Sequence, residues 1–379
     1  MHILVLTATY TPSLNGVAIS TQRSVEELRN KGHRVTVIYP QPKKPMQTHR
    51  DDVQLPSIFL PFLSDYPISI PGLYAIDALF ASNTFDIMHV HHPIVWLPWA
   101  FRLRNKYRVP VVFTYHTRYP EYVAKFLWFF PSKLVKMYMN KYLLAVLNSC
   151  DAVIATTKFY RKMLKMQSNS RIYYVSTAAL KKIMQSSVAT KTLRKRLGLP
   201  NDRTILLNVS RHVEEKNLTL LLQAMALLPE KYVLVLVGEG SYTTNLKQEC
   251  QRLDLERKVI FAGLKEQTEL AEYYSCADLF VYSSLTDTIG INLIEAFSAG
   301  LPVIAVKDEN VEEVVVHQNT GIISGHSPQE FANSILQFPE KKRADFAKQA
   351  RAMADTFSIE HTTSKLLSMY KKVITHAPI

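Results

Sequence analysis

Four loops carry the residues best equipped for chemistry. Asp287 and Glu295 stand eight apart, Asp287 within Ser283-Ser284-Leu285-Thr286-Asp287-Thr288-Ile289-Gly290 and Glu295 about one turn into the helix that follows. Carboxylates so placed accept hydrogen bonds from sugar or ribose hydroxyls, while backbone N–H groups at the helix start, around Gly290, Ile291, Asn292 and Leu293, hold phosphate. As purely structural residues, Asp287 would cap the helix and Glu295 would face solvent. Arg211-His212-Val213-Glu214-Glu215-Lys216-Asn217 supplies two cations after a strand end. The Arg211 guanidinium forks onto phosphate oxygens and Lys216 adds a point charge near a helix start. Read alone, the same run also fits a solvated charged loop. In Tyr10-Thr11-Pro12-Ser13-Leu14-Asn15-Gly16-Val17 the Asn15-Gly16 turn lets backbone approach an anion at a helix N-terminus, or is a plain surface turn. His116, in Thr114-Tyr115-His116-Thr117-Arg118-Tyr119, stands at a strand's carboxyl end, where site residues of open α/β sheets gather.

Other chemistries lack their residues. There is no Walker P-loop, no Asp-x-Asp for a metal-bound diphosphate and no Gly-x-Ser-x-Gly elbow. Gly238-Glu239-Gly240 begins like a dinucleotide fingerprint, but Thr243 replaces its third glycine. His89 and His91 share a strand face beside His92, yet no Cys or carboxylate cluster completes a metal site, so these histidines are expected to line or buttress a cleft. Cys150, Cys250 and Cys276 form no C-x-x-C pair and leave an odd thiol, which fits a reducing compartment.

The loops need a scaffold, and the apolar pattern supplies one. Buried strands are expected at 3–7, 34–39, 87–90, 111–115 and 152–155, then at 205–209, 233–237, 259–261, 279–282 and 303–306. Helices are expected at 19–30, 217–228, 244–253, 267–275 and 291–299. Strands alternating with helices predict parallel sheets covered on both faces, hence an α/β chain of two Rossmann-like domains. The polar stretch 176–195 reads as the linker. Domains are expected at 1–175, completed by a C-terminal helix 358–379, and at 176–357. A length of 379 residues with 47% hydrophobic and 20% charged residues suits two sizeable cores and excludes disorder or coiled coil as a description of the whole. The formal charge of +13 is uneven: residues 1–180 carry 21 Lys+Arg against 9 Asp+Glu, the remainder 24 against 23. Such a surplus in one half predicts an anionic partner for that half.

Taken together, the loops resemble the retaining glycosyltransferases of family four, which have the two-domain GT-B fold with parallel sheets facing across a cleft. Arg211 with Glu215-Lys216-Asn217 is similar to that family's R-x-x-x-E-K-N diphosphate loop. Gly238-Glu239-Gly240 is similar to its V-G-x-G turn, and Thr286 through Pro302 to its E-x-x-G-x-x-x-x-E-A-x-A-x-G-x-P-V stretch. The resemblance implies that Arg211 and Lys216 neutralise a leaving diphosphate and that Asp287 holds hydroxyls of the donor sugar. It also implies that Glu295 holds the ribose, that backbone from Gly290 to Leu293 meets phosphate, that His116 lies near the transferred sugar and that Gly16 lies below the diphosphate. It implies no cofactor and no bound metal, with a nucleotide-sugar as substrate, UDP-glucose before GDP-mannose. Two positions depart from the pattern. Asp287 stands for a glutamate, and Ala178, in Val175-Ser176-Thr177-Ala178-Ala179-Leu180, stands for a turn glycine.

Within the family, Tyr115 through Tyr122 looks most like members that glycosylate diacylglycerol or phosphatidylinositol. Arg118, Tyr119, Lys125, Trp128, Phe129, Lys133 and Lys136 mix aromatics with cations, as an interfacial helix at an acidic lipid surface does. An amphipathic core helix with a basic edge is the plainer alternative. The N-terminal Met1-His2-Ile3-Leu4-Val5-Leu6 reads as a first strand rather than a leader. The expectation is a hexosyltransferase acting on a membrane lipid, diacylglycerol before others, cytoplasmic and peripheral to the inner face of the membrane, without nucleic acid as partner. A soluble or polysaccharide acceptor, or a catalytically idle nucleotide-binding relative, remain the competing readings.

Overall fold

The apolar segments form two parallel sheets in a computed structural model, which describes all residues except 14, 43–47, 59–66, 70–72, 178–186, 201, 285, 286, 288 and 377–379. The chain divides into two compact units, Met1–Ala178 with Ile359–Ile379, and Ala179–Ser358.

The first unit holds β1 (His2–Leu6), β2 (Arg34–Pro40), β3 (Val53–Leu55), β4 (Ser57–Ile58), β5 (Ile68–Ser69), β6 (Ile87–Val90), β7 (Val111–Tyr115), β8 (Ala152–Ala155) and β9 (Ile172–Tyr174). Seven of them form one parallel sheet in the order β3-β2-β1-β6-β7-β8-β9, and β4 pairs antiparallel with β5. Period-two alternation feeds two apolar layers: Leu4 and Leu6 enter one, Ile3 and Val5 the other. The helix Ile359–His376 covers the second layer with Leu366, Met369, Tyr370 and Val373.

The second unit repeats the plan with β10 (Thr204–Val209), β11 (Tyr232–Val237), β12 (Val259–Gly263), β13 (Leu279–Tyr282), β14 (Val303–Val306) and β15 (Gly321–Ser324), in the order β12-β11-β10-β13-β14-β15. In both sheets the strand order reverses beside the first strand, at β1/β6 and β10/β13. Loops leave such a switch point in opposite directions and open a crevice at the strands' carboxyl ends.

Three departures from the expected elements have physical causes. The helix expected from residue 19 begins at Gly16, because the Asn15 side chain accepts the Ala18 N–H at 2.9 Å and caps it a turn earlier. The expected linker 176–195 overlaps the helix Ser187–Arg196, whose Leu193 is buried in the second unit's core. Strands β3, β9 and β15 were not anticipated; each is an edge strand of three or four residues, and an edge requires too little burial to leave a strong apolar run. Ala178 lies outside the described residues.

Candidate functional site

In the second unit the loops after β10 and β13 meet. Ser283 Oγ donates to the Lys216 carbonyl at 2.7 Å, and Asn292 Nδ2 donates to the Val209 carbonyl at 2.7 Å, tying the helix Ile291–Ser298 to the end of β10. These contacts bring Lys216 to Asp287, where Nζ donates to Oδ1 at 2.6 Å and Oδ2 at 2.7 Å. Tyr282, the last residue of β13, donates its hydroxyl to Asp287 Oδ2 at 2.6 Å. Burial alone would raise the Asp287 pKa, but the charge and hydrogen bonds of Lys216, with the Tyr282 bond, override it and leave the carboxyl below its ordinary value. Burial, reinforced by the neighbouring carboxylate, pushes the Tyr282 phenol well up, so it stays a donor.

Asp287 is therefore not a helix cap. The helix starts at Ile291 with Gly290 as N-cap and no side-chain cap bond, which leaves its positive end for an anion. A Cβ at Gly290 would stand 2.5 Å from Asn292 Oδ1 and 2.9 Å from the Tyr282 hydroxyl, so only glycine lets the turn close over Tyr282. Glu295 does not face solvent either: it is buried and accepts the Tyr274 hydroxyl at 3.1 Å through Oε2. Arg211 stands half-exposed with Nη2 3.9 Å from Glu215 Oε1. The Gly238 turn packs on this loop with φ +126°, where any Cβ would run into the Ser210 carbonyl. Tyr282 and Tyr274 were not among the expected site residues. Their only sequence signal is a polar-tipped aromatic in an apolar run, which core tyrosines share.

In the first unit the corresponding loops follow β1, β6 and β7. Asn15 Oδ1 holds the Ala18 N–H and the Thr9 hydroxyl, fixing the turn before Gly16. His116 follows β7, and its Nε2 lies 2.7 Å from Nδ1 of His91, which follows β6. His89 is fixed at both nitrogens, Nε2 to Thr114 Oγ1 and Nδ1 to the Tyr370 hydroxyl, each at 2.6 Å. His92 Nδ1 accepts the Ala8 N–H at 3.0 Å. Burial holds all four imidazoles neutral: it lowers the pKa of His89 to about 3 and of His92 to about 4, and those of His91 and His116 well below the ordinary value. No group of three or more metal-ligating side chains arranged for an ion occurs among the described residues.

The cationic segment of this unit is exposed as well as basic. Trp128 is 81% accessible, Phe129 62% and Tyr138 67%, with Phe130, Leu134 and Met137 also exposed beside Lys133 and Lys136 on the helix Ser132–Ser149. That helix still buries Met139, Leu143, Val146 and Leu147 along another side. Tyr119 does not belong to this surface. It is buried against Phe113 and Tyr115 and donates its hydroxyl to the His91 carbonyl at 3.3 Å. Arg118 precedes the helix Tyr119–Phe126, and the side chain of Lys125 lies outside the described residues. No helix among the described residues is long and apolar enough to cross a membrane.

Comparison with known proteins matches residues 14–178 to the family described as Glycosyltransferase Family 4 and residues 189–353 to that described as Glycosyl transferases group 1. The chain belongs to glycosyltransferase family four. Its curated relatives in that family include the alpha-monoglucosyldiacylglycerol synthase of Streptococcus pneumoniae, 29% identical over 350 residues that cover 89% of this chain and 78% of the relative. The enzyme of the same name from Acholeplasma laidlawii is 25% identical, covering 85% and 84%. A D-inositol 3-phosphate glycosyltransferase of Xylanimonas cellulosilytica is 25% identical, covering 81% and 76%. Among solved structures, sucrose-phosphate synthase from Thermosynechococcus elongatus superposes with a TM-score of 0.83 at 21% identity, covering 99% of this chain and 100% of that one. HepE from Anabaena, solved in complex with UDP, gives 0.79 at 20%, covering 98% and 100%. Two parallel-sheet units of Rossmann type are the GT-B fold of this family-four glycosyltransferase.

Proposed function

We propose that this glycosyltransferase moves glucose from UDP-glucose to a membrane lipid, diacylglycerol before other acceptors, at an anionic membrane surface. The observation that carries the acceptor is the exposed Trp128, Phe129 and Phe130 beside Lys133 and Lys136, in the half of the chain that holds nearly all the excess positive charge. Aromatics at the depth of the headgroups and lysines paired with acidic lipid would hold the first unit at the bilayer, each cation adding about 1 kcal/mol. The names of the two glucosyldiacylglycerol synthases support the same acceptor and the same sugar. A peripheral position on the inner face of the membrane belongs to this reading, as does an acceptor role for the first unit and a donor role for the second.

In the donor unit, Arg211 and Lys216 would meet the diphosphate with the Ile291–Ser298 helix start and the backbone from Gly290 to Leu293. Fixed cations and dipoles there stabilise the charge that develops as the sugar departs. Asp287 would accept donor-sugar hydroxyls, Glu295 the ribose hydroxyls, and Gly238 would keep the Arg211 loop in place. Because Lys216 and Asp287 already hold each other, the donor would enter by sharing both: phosphate on the ammonium, hydroxyl on the carboxylate. In the acceptor unit, the Gly16 turn would lie under the diphosphate and His116 beside the transferred sugar. Attack on the face the diphosphate leaves would retain the anomeric configuration, a leaving phosphate oxygen taking the acceptor proton with no bound metal required.

Incubation with labelled nucleotide-sugars and lipid extract, followed by chromatography of the organic phase, tests the reaction. Label in a glycolipid from UDP-glucose is the expected result, and label confined to aqueous products overturns the acceptor. The relative named for D-inositol 3-phosphate favours a second reading, a soluble acceptor, which the aqueous phase of the same assay would reveal.

A further inference from the structure

His116 is not an isolated ring. His91 is buried and His116 half-buried, and desolvation keeps both rings neutral, so each carries one N–H. The 2.7 Å separation of His91 Nδ1 and His116 Nε2 requires one proton between them, since two lone pairs repel at that distance and two N–H groups collide. Which ring donates then decides both tautomers. If His91 donates, His116 carries its proton on Nδ1 and offers a donor; if His116 donates, its Nδ1 is a bare acceptor. No partner for His116 Nδ1 occurs among the described residues, which makes it the nitrogen open to a ligand.

His91 is itself held from several sides. Its backbone N–H donates to the Leu6 carbonyl at 2.9 Å and its carbonyl accepts from Tyr119. Its Nδ1 lies 3.3 Å from Thr21 Oγ1, and its ring centre lies 4.2 Å from that of His89, tilted by 36°, and Thr114 and Tyr370 lock His89 at both nitrogens. A ring fixed this way has little freedom to rotate and transmits its orientation to its partner.

We infer that His91 is a positioning residue for His116: it settles which ring nitrogen of His116 carries the proton, and so whether the nitrogen facing the ligand donates or accepts. The inference rests on the proposed place of His116 beside the transferred sugar. Ring-15N NMR of the full chain reads the dyad without turnover. The expected result is a single neutral tautomer at His116, lost to a mixture in His91→Leu. It should return in His91→Asn, whose side-chain amide reaches the Nδ1 position as donor or acceptor. With UDP-glucose and diacylglycerol vesicles, His91→Leu should lower kcat by about ten- to a hundredfold with donor KM within about twofold, as misorientation of a group near the reacting centre does. Mixed tautomers at His116 in the unsubstituted protein overturn the inference without any variant, and so does a His116 tautomer unchanged in His91→Leu. If His116→Ala keeps full kcat, the role of His116 falls while the NMR result still judges the dyad.

Discussion

Lys216 and Asp287, 71 residues apart, form a two-oxygen ion pair at 2.6 and 2.7 Å that Tyr282 completes from below. The loops after the first and fourth strands of the second unit's sheet are thereby locked to each other across the switch point.

Lys216→Ala should reduce kcat/KM for the donor by at least about a hundredfold, since an anion-stabilising contact and the partner of Asp287 are lost together. The same change should cost about 1–3 kcal/mol of stability, the penalty for leaving a half-buried carboxylate without its cation. Denaturation of both Lys216→Ala and the double variant with Asp287→Ala checks the origin: the second change should restore part of the loss.

Acid stability should depend on Asp287. Its folded pKa lies below the unfolded value, so its contribution is present above the unfolded pKa, near 3.8, and is lost as pH falls through the folded one. Asp287→Asn should be less stable than the parent at neutral pH, and the gap should narrow below about pH 4. Thermal midpoints across pH 3–7 measure it; a gap that widens towards acid contradicts the assignment.

The buried histidines predict a second limb at higher pH. Their folded pKa values are depressed, so their contribution is present above the unfolded value of 6.5 and declines as pH falls towards about 4 for His92 and about 3 for His89. The unfolding midpoint should therefore drop between pH 7 and pH 4.5. His89→Gln, which removes one of the titrating rings, should show a shallower drop.

Membrane attachment should be separable from folding. Lys133→Gln with Lys136→Gln removes about 2 kcal/mol of attraction to an anionic surface, or about thirtyfold in partition, and should shift the unfolding midpoint little because Lys133 is exposed and Lys136 only half-buried. Flotation with acidic vesicles at low and high salt reads it. Equal binding by the parent and the double variant counts against the basic surface as the docking site.

Tyr274→Phe removes the hydroxyl that holds Glu295 and should raise donor KM several-fold at similar kcat, with about 1 kcal/mol of stability lost. Steady-state kinetics with UDP-glucose separate the two constants. A fall in kcat without a change in KM would place Glu295 away from the ribose.

Much was legible in the linear sequence because the signals involved are local. Runs such as Val233–Val237 and Val303–Val306 are strands buried on both faces, and a doubly covered parallel sheet demands continuous apolar residues wherever it occurs. The order of strands and helices then implies two α/β units, and ligand loops at strand ends follow from how such sheets connect. By contrast, β3, β9 and β15 sit on edges and bury too little to show, and Glu295 looked as much like a surface glutamate as a buried one. Only the tertiary structure decided who meets whom: Asp287 paired to Lys216 rather than capping a helix, Tyr282 and Tyr274 as the hydroxyls beneath two carboxylates, Tyr119 in the core, and His91 against His116. Apart from Tyr282 with Asp287, five residues away, those pairs are joined by strand order and register, which set distances between residues 21 to 71 apart. Periodicity within a segment reports which face is buried, but a contact across the sheet depends on which strands become neighbours.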